Sequence, residues 1–325
     1  MSIAKVVIPA AGLGTRLHPA TKSQPKEMLP LGRKPVIQLV VEEMLRARLW
    51  QVLVITGQKK RAIEDHFDDT DGALFGGAGS DPDELIPQFY FRRQAVQRGL
   101  GDAINHAKEF TGDQPFAVAL GDCIIDANGP APLMSRLLEA HRTNGAAATI
   151  AVQRVAPAAV SSYGVVAPEG EPGPTFRIRD IVEKPSPDAA PSNLAVCARY
   201  VFEPVIYDFI ARTTPGHGGE IQLTDAIRLM LRDGLPVYCV ALAPGEQRLD
   251  IGSFKTYAQA FFSMMLRDPE LGDELRTYVR DLLGNGHQAG IRRPQRHSAR
   301  PAAEECIGAE SLAWTSAGKA VGTIR

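Results

Sequence analysis

The apolar run Val6-Val7-Ile8 stops at Pro9 and passes directly into Ala10-Ala11-Gly12-Leu13-Gly14-Thr15-Arg16. Lys5–Pro9 reads as a buried strand, and the small residues after it let the backbone come close to a ligand. Their N–H groups can face phosphate oxygens. A strand entering a glycine turn would open a dinucleotide fold, but that pattern needs a third glycine where the following helix packs on the strand. Here Gly12-x-Gly14 is followed by Leu17, and Pro19 interrupts any long helix starting at the turn. The string Gly-x4-Gly-Lys-Ser/Thr, the other common phosphate cradle, does not occur in the chain. Arg16 and Lys26 follow at short range. Backbone donors with two fixed cations suit a polyphosphate whose charge must be held while it reacts.

Short apolar runs then alternate with amphipathic segments. Strands are expected at Val52–Thr56, Gln88–Phe91, Phe116–Leu120 and Ala147–Val152. Helices are expected at Val36–Ala47, Lys60–Phe67, Ala103–Phe110 and Leu133–Arg142. Strands separated by helices pair in parallel through right-handed crossovers. The first ~150 residues therefore read as a doubly wound α/β layer structure. After Val152 the rhythm changes: Tyr163–Ala167, Phe176–Val182 and Ala195–Phe202 are strand-like with little helix between them. They are expected to join the same sheet in mixed or antiparallel pairing. Helices return at Pro204–Ala211, Thr224–Arg232, Phe254–Leu266 and Glu270–Leu283, with Thr224 and Ser253 as candidate N-caps.

The composition narrows the class. Lys and Arg total 36 against 37 Asp and Glu, so no basic excess points to nucleic acid. No run approaches the ~18–20 apolar residues of a membrane helix, and Pro9 interrupts the first apolar run too soon for a signal peptide. No membrane association and a cytoplasmic location are expected. Cys123, Cys197, Cys239 and Cys306 form no zinc spacing, and Cys197 and Cys239 read as small buried residues in strands. No His-Glu-x-x-His or Gly-x-Ser-x-Gly occurs among the motifs, and His18 and His66 read as structural or exposed. Residues 1–283 read as one domain. Residues 284–325, with Arg292, Arg293, Arg296 and Arg300, read as a loosely packed or disordered tail.

In open α/β sheets ligands bind beyond the carboxyl ends of the strands. Asp122, closing Ala119-Leu120-Gly121-Asp122, stands at such an end. It suits either a turn cap or a hard cation such as Mg²⁺, which takes one or two protein carboxylates. Gln94, five residues before Gly99, has an amide with donor and acceptor for a pyrimidine edge, and Gly99 leaves room for a base. Gly164 permits close approach to its strand. Glu183 and Lys184 are adjacent, and Pro185 marks a strand end where strict alternation of faces relaxes. Alone, this pair reads as a surface ion pair. Asp225 reads as a helix cap.

The strings Gly12-Leu-Gly-Thr-Arg16, Pro19-Ala-Thr-Lys22 and Pro25-Lys-Glu-Met-Leu-Pro30 together resemble the signature of the sugar-1-phosphate nucleotidyltransferases. Within them they are similar to the bacterial UTP–glucose-1-phosphate uridylyltransferases. Leu120-Gly-Asp122, Arg248-Leu-Asp250-Ile-Gly252, Gln94-x4-Gly99-Leu-Gly101, Val182-Glu-Lys-Pro185, Ser192-Asn-Leu-Ala195 and Glu220-Ile-Gln-Leu-Thr-Asp225 extend the resemblance over residues 3–283.

The resemblance implies a Rossmann-like α/β fold. It implies transfer of UMP from UTP to α-D-glucose 1-phosphate, with UDP-glucose and pyrophosphate as products. It also implies Mg²⁺ on Asp122 and Asp250, with Arg16, Lys26 and Lys184 as the catalytic cations. Ala10, Ala11, Gly12, Gly14, Thr15, Gln94 and Gly99 would bind the nucleotide. Gly164, Glu183, Asn193 and Glu220 would bind the sugar. A homo-oligomer, dimer or tetramer, is implied as well. Two alternatives stay open: a thymidylyltransferase or other nucleotide and sugar preference, and a non-catalytic nucleotide-sugar-binding regulator. Many uridylyltransferases have Leu-Pro-Asp where this chain has Leu120-Gly121-Asp122, which keeps the carboxylate. The Gly- and Asp-rich segment Asp68–Pro87 is shorter than in many of them.

Overall fold

The structure, a computed structural model, describes residues 3–68, 87–126 and 132–284. The short Gly/Asp segment (but for Asp68 and Pro87), the tail after Gly284 and Cys306 lie outside the described residues.

In chain order the elements begin with β1 (Lys5–Pro9), β2 (Pro30–Leu31), β3 (Lys34–Pro35), α1 (Val36–Arg46), β4 (Gln51–Thr56), α2 (Arg61–Phe67) and β5 (Gln88–Arg93). Next come α3 (Leu100–Asn105), α4 (Lys108–Thr111), β6 (Phe116–Ala119), β7 (Cys123–Asp126), α5 (Leu133–Thr143) and β8 (Ala148–Arg154). The later part adds β9 (Gly164–Pro168), β10 (Thr175–Glu183), β11 (Leu194–Phe202), α6 (Ile206–Arg212), α7 (Leu223–Arg232), β12 (Val237–Ala241), β13 (Gln247–Asp250), α8 (Phe254–Met265) and α9 (Gly272–Gly284).

Nine strands form one mixed sheet in the order β5-β4-β1-β6-β11-β8-β12-β10-β9. The run β5-β4-β1-β6 is parallel, as is the β8–β12 pair. The strands β9, β10 and β11 enter antiparallel, as the changed rhythm after Val152 predicts. One feature was not legible: β11 inserts between β6 and β8, so the fifth expected strand is not a direct neighbour of the fourth.

The central strands of the sheet are covered on both faces. Val6 and Ile8 pack into one core with Val36, Val40 and Met44 of α1, while Val7 between them packs into the other with Ile104, Phe209 and Ile227. Adjacent strand residues point to opposite faces, so a central strand buried on both sides reads as unbroken apolar sequence. The buried set of α1 (Val36, Ile37, Val40, Val41, Met44) recurs every three to four residues, as an amphipathic helix requires.

Three local expectations change. The single helix expected at Ala103–Phe110 is two, because bonding tightens at Ala107, whose N–H donates to Ile104 O at 2.8 Å, three residues back rather than four. Ser253 does cap α8 and forms a reciprocal capping box with Thr256. Thr224 does not cap α7: that helix starts at Leu223, and the Thr224 hydroxyl goes elsewhere.

A buried ion pair braces the strand ends. Arg199 of β11 donates to Glu43 of α1 through Nε at 3.0 Å and Nη2 at 2.6 Å, and Nη2 also reaches the Cys123 carbonyl at 2.9 Å. Leaving either charge unpaired there would cost about 3–5 kcal/mol. The brace fixes the start of β7, directly after Asp122.

The chain divides into two compact units, residues 1–276 and 277–325. Of the second, only residues 277–284 are described, and they are helical. Among the described residues, no helix is long and apolar enough to cross a membrane.

Candidate active site

The carboxyl ends of β1, β4, β5 and β6 face one edge of the sheet, and the chain leaving each is tied to its neighbour. Ala10 N–H donates to Ile55 O at 2.9 Å, Gln94 N–H to Thr56 O at 2.8 Å, and Gly121 N–H to Pro9 O at 3.2 Å. The loop after β1 therefore lies beside the turn that carries Asp122. Ala10 and Ala11 are buried, and Thr15 and Arg16 are exposed. Gly14 sits at φ 67°, a left-handed conformation that favours glycine. A methyl group on it would meet the Lys26 side chain at 3.4 Å. On Gly12 the nearest atom would be Lys26 Nζ, at 3.5 Å. The loop thus packs along the lysine, and Thr21 Oγ1 closes it with a 2.7 Å bond to Gly14 O.

The Lys26 ammonium is bonded to Asp122 Oδ2. Burial opposes the charge on both groups but is outweighed. Asp122 lies below the usual carboxylate value because of Lys26 and then Arg248, and Lys26 lies above the usual lysine value because of Asp122 and Glu27. The second carboxylate arrives by sheet pairing: β13 runs antiparallel to β7 with Asp250 opposite Cys123, which puts it next to Asp122. Arg16 closes the group. A methyl on Gly252 would lie 3.0 Å from Arg16 Nη2 and 3.1 Å from Asp250 Oδ2. Two cations and two carboxylates from four places in the chain are thus brought together. Two hard carboxylate donors fit a divalent cation that completes its shell from phosphate and water.

A second cluster lies on β9, β10 and α7. Gly164 pairs with Glu183 in the β9–β10 register. A methyl on Gly164 would meet Thr224 Oγ1 at 3.1 Å and Glu183 Oε2 at 3.3 Å. Thr224 donates to that Glu183 oxygen at 2.7 Å. Lys184 leaves the strand at φ 44°, which breaks the alternation of faces, and its Nζ lies 3.5 Å from Glu183 Oε1. The relaxation anticipated before Pro185 is therefore a left-handed residue. Asp225 is not the residue that precedes α7: Gln222 holds that place, and Asp225 stands inside the first turn, which corrects its reading as a helix cap. Burial and the nearby Glu183 push its carboxyl up. Asn193 Oδ1 accepts from Arg154 at 3.2 Å, and the exposed Glu220 accepts from Gln222 at 3.2 Å.

Gln94 is 2% exposed, and its Nε2 donates to Gly99 O at 3.3 Å and to Asp102 Oδ2 at 2.7 Å. Two acceptors settle the orientation of the amide, so both donor bonds of Gln94 are spent within the 94–102 segment. The space expected at Gly99 is also corrected. Its missing side chain makes room for the chain itself, since a methyl there would lie 2.6 Å from Ile221 O and 2.8 Å from Glu220 Cβ.

The nucleotidyl transferase family model matches residues 5–265. The chain belongs to that family. It is 39% identical over 289 residues to a UTP–glucose-1-phosphate uridylyltransferase of Staphylococcus haemolyticus, covering 86% of this chain and 98% of the relative. A uridylyltransferase of the same name from Streptococcus pyogenes is 40% identical, with 85% and 93% covered. Among solved structures, UTP-bound UGPase from Acinetobacter baumannii is 34% identical with a TM-score of 0.76, covering 86% of this chain and 99% of that one. A UDP-glucose pyrophosphorylase complexed with UDP-glucose is also 34% identical, with a TM-score of 0.72 and 80% and 98% covered.

Within this nucleotidyl transferase site, three residues carry weight that sequence reading did not assign. Gly57, after β4, packs on the loop so closely that a methyl would lie 2.7 Å from Ala11 O. Its position one residue past a buried strand was a signal. Thr224 looked like a cap because serine and threonine before a helix usually are. Arg248 opens the string Arg248-Leu-Asp250-Ile-Gly252, whose sequence points to Asp250 and gives the arginine no role. Its guanidinium lies 4.9 Å from the Tyr163 ring centroid, and its Nε bonds Cys123 Sγ at 3.1 Å.

Proposed function

We propose that this nucleotidyl transferase moves the uridylyl group of UTP onto α-D-glucose 1-phosphate, forming UDP-glucose and releasing pyrophosphate. The observation that supports the reading best is the meeting of Arg16, Lys26, Asp122 and Asp250 at the carboxyl edge of the parallel strands. The likeness to named uridylyltransferases at 39–40% identity supports this substrate pair.

The attacking oxygen is supplied by the sugar's own phosphate, which is ionised at neutral pH. It forms the new P–O bond at the α-phosphorus while the bond to the bridging oxygen of pyrophosphate breaks. A histidine base has no part to play in such a reaction; positioning and charge stabilisation do the work. Arg16 and Lys26 hold the triphosphate and the charge that grows on the leaving pyrophosphate. Lys26 exchanges Asp122 for phosphate oxygen as the complex forms. Lys184 takes the phosphate of glucose 1-phosphate.

Glu183, kept in place by Thr224, accepts from glucose hydroxyls beside Gly164, with Asn193, Glu220 and Asp225 at the rim. The main chain of Ala10, Ala11, Gly12, Gly14 and Thr15 follows the nucleotide. Gln94 offers its carbonyl to the N–H of the uracil ring, and Gly99 holds the 94–102 frame in shape. Asp122 and Asp250 are the residues that would hold Mg²⁺, which when bound offsets phosphate charge.

The test is pyrophosphate release over a panel of nucleoside triphosphates and sugar 1-phosphates. UTP with glucose 1-phosphate is expected to be the fastest pair. Equal turnover of dTTP would move the assignment to a thymidylyltransferase, and no release with any pair would leave a nucleotide-sugar-binding regulator.

A further inference from the structure

Arg248 lies on β13, two residues before Asp250, so both side chains stand on one face of the strand. Its side chain is 13% exposed, yet it carries a charge at every accessible pH. A buried guanidinium needs partners, and here they come from three places. Nε donates to Cys123 Sγ at 3.1 Å, next to Asp122. Nη2 stands 3.5 Å from Asp250 Oδ1. The guanidinium carbon lies over the ring of Tyr163, the residue before Gly164, 4.9 Å from its centroid. One side chain thus touches the carboxylate pair and the entry to the sugar-side strand.

We propose that Arg248 is a positioning residue that sets Asp250 beside Asp122 and holds Tyr163–Gly164 against them, so that cation and sugar phosphate are bound in register. This rests on the reaction proposed above, whose ligands it uses. The role needs the guanidinium shape. A planar fork can turn an edge toward a carboxylate and a sulfur while its face stacks on a ring, and a lysine ammonium cannot do both. It also explains why the strand pair β7–β13 exists: four residues on each side bring Asp250, Cys123 and Arg248 to fixed places.

The test compares wild type, R248K and R248M. Binding of Mn²⁺ is read by electron paramagnetic resonance of the free ion in the presence of UDP-glucose, without turnover. The KM values for UTP and glucose 1-phosphate are measured alongside at saturating Mg²⁺, with the melting temperature as a control. R248M is expected to weaken Mn²⁺ binding about tenfold or more and to raise the KM for glucose 1-phosphate, with the KM for UTP unchanged. R248K, which keeps the charge, is expected to recover less than half of either loss. A folded R248M with wild-type Mn²⁺ affinity and glucose 1-phosphate KM overturns the proposal, as does an equal rise in both KM values.

Should R248M not fold, Y163L removes only the ring beneath the guanidinium. It is expected to raise the glucose 1-phosphate KM about threefold, and an unchanged KM overturns the proposal. A wild-type protein that turns over no UTP with glucose 1-phosphate would fail the reaction itself, and this role with it. An active wild type with an unaltered R248M fails only the role of Arg248.

Discussion

The Lys26 ammonium donates to the Asp122 carboxylate, which ties the glycine loop after β1 to the turn after β6. An internal cation thus occupies the carboxylate that the proposed reaction assigns to Mg²⁺. Asp122→Ala is expected to cut pyrophosphate release by at least about 1,000-fold, the loss of several kcal/mol of charge stabilisation. Glu27 and Asp250 still act on Lys26, so the variant should keep the wild-type circular dichroism spectrum. Near-normal Mg²⁺-dependent turnover would remove Asp122 from the site.

Arg16 is exposed and points its Nη2 toward the Gly252 turn. Its partner charge grows as pyrophosphate leaves, so Arg16→Ala should lower kcat by about 100- to 1,000-fold with little change in KM. Steady-state kinetics at varied UTP decides the matter. A rise in KM alone would make Arg16 a uniform binding residue.

Thr224 bonds Glu183 Oε2 at 2.7 Å. Thr224→Val keeps the shape and removes the donor, which frees the carboxylate to turn. The KM for glucose 1-phosphate is expected to rise about tenfold, with the KM for UTP unchanged. Equal effects on both substrates would indicate a general loss of structure instead.

Gly99 has φ 110° and ψ 175°, a region that only glycine adopts readily. Any side chain also meets the backbone at Ile221. Gly99→Ala should destabilise the fold by about 2 kcal/mol or more, seen as a lower melting temperature, and should weaken UTP binding through the Gln94 frame. A variant with wild-type melting and binding would contradict this account.

His141 is 3% exposed, and its ring nitrogens lie 3.0 Å from Thr149 Oγ1 and 3.3 Å from Glu203 Oε1. Burial lowers its pKa from the ordinary 6.5, outweighing Glu203. The folded state therefore binds the proton less readily than the unfolded chain. Its contribution is fully present above pH 6.5 and is lost as pH falls through the lower folded value. His66, also lowered by burial, adds to the same window. Melting curves from pH 7.5 downward should show declining stability below 6.5, and His141→Gln should flatten the decline. An identical slope in the variant would place the titration elsewhere.

The parallel half of the sheet was legible because its inner strands β1, β4 and β6 are buried on both faces and its helices on one. Those two conditions leave unbroken apolar runs at Val6–Ile8 and Val52–Ile55 and a three-to-four spacing in α1. The paired strands β7 and β13 were not. Each is four residues long, and its partner lies more than 120 residues away, so no local pattern marks either one. Gln94 stood out in the sequence for its amide, but its donor half belongs to Asp102 and Gly99, which only the folded loop reveals.

By itself the sequence determined the strand-to-loop junction at Pro9–Arg16, the α/β class and the residue types able to hold phosphate, because each of these is written in neighbouring positions. Only the tertiary structure decided which of those residues share a site. Lys26 and Asp122, Glu183 and Thr224, and Arg248 and Tyr163 are far apart in the chain. Sheet order and register, set by burial over the whole domain, bring them within bonding distance, and backbone geometry at Lys184 turns its side chain toward Glu183.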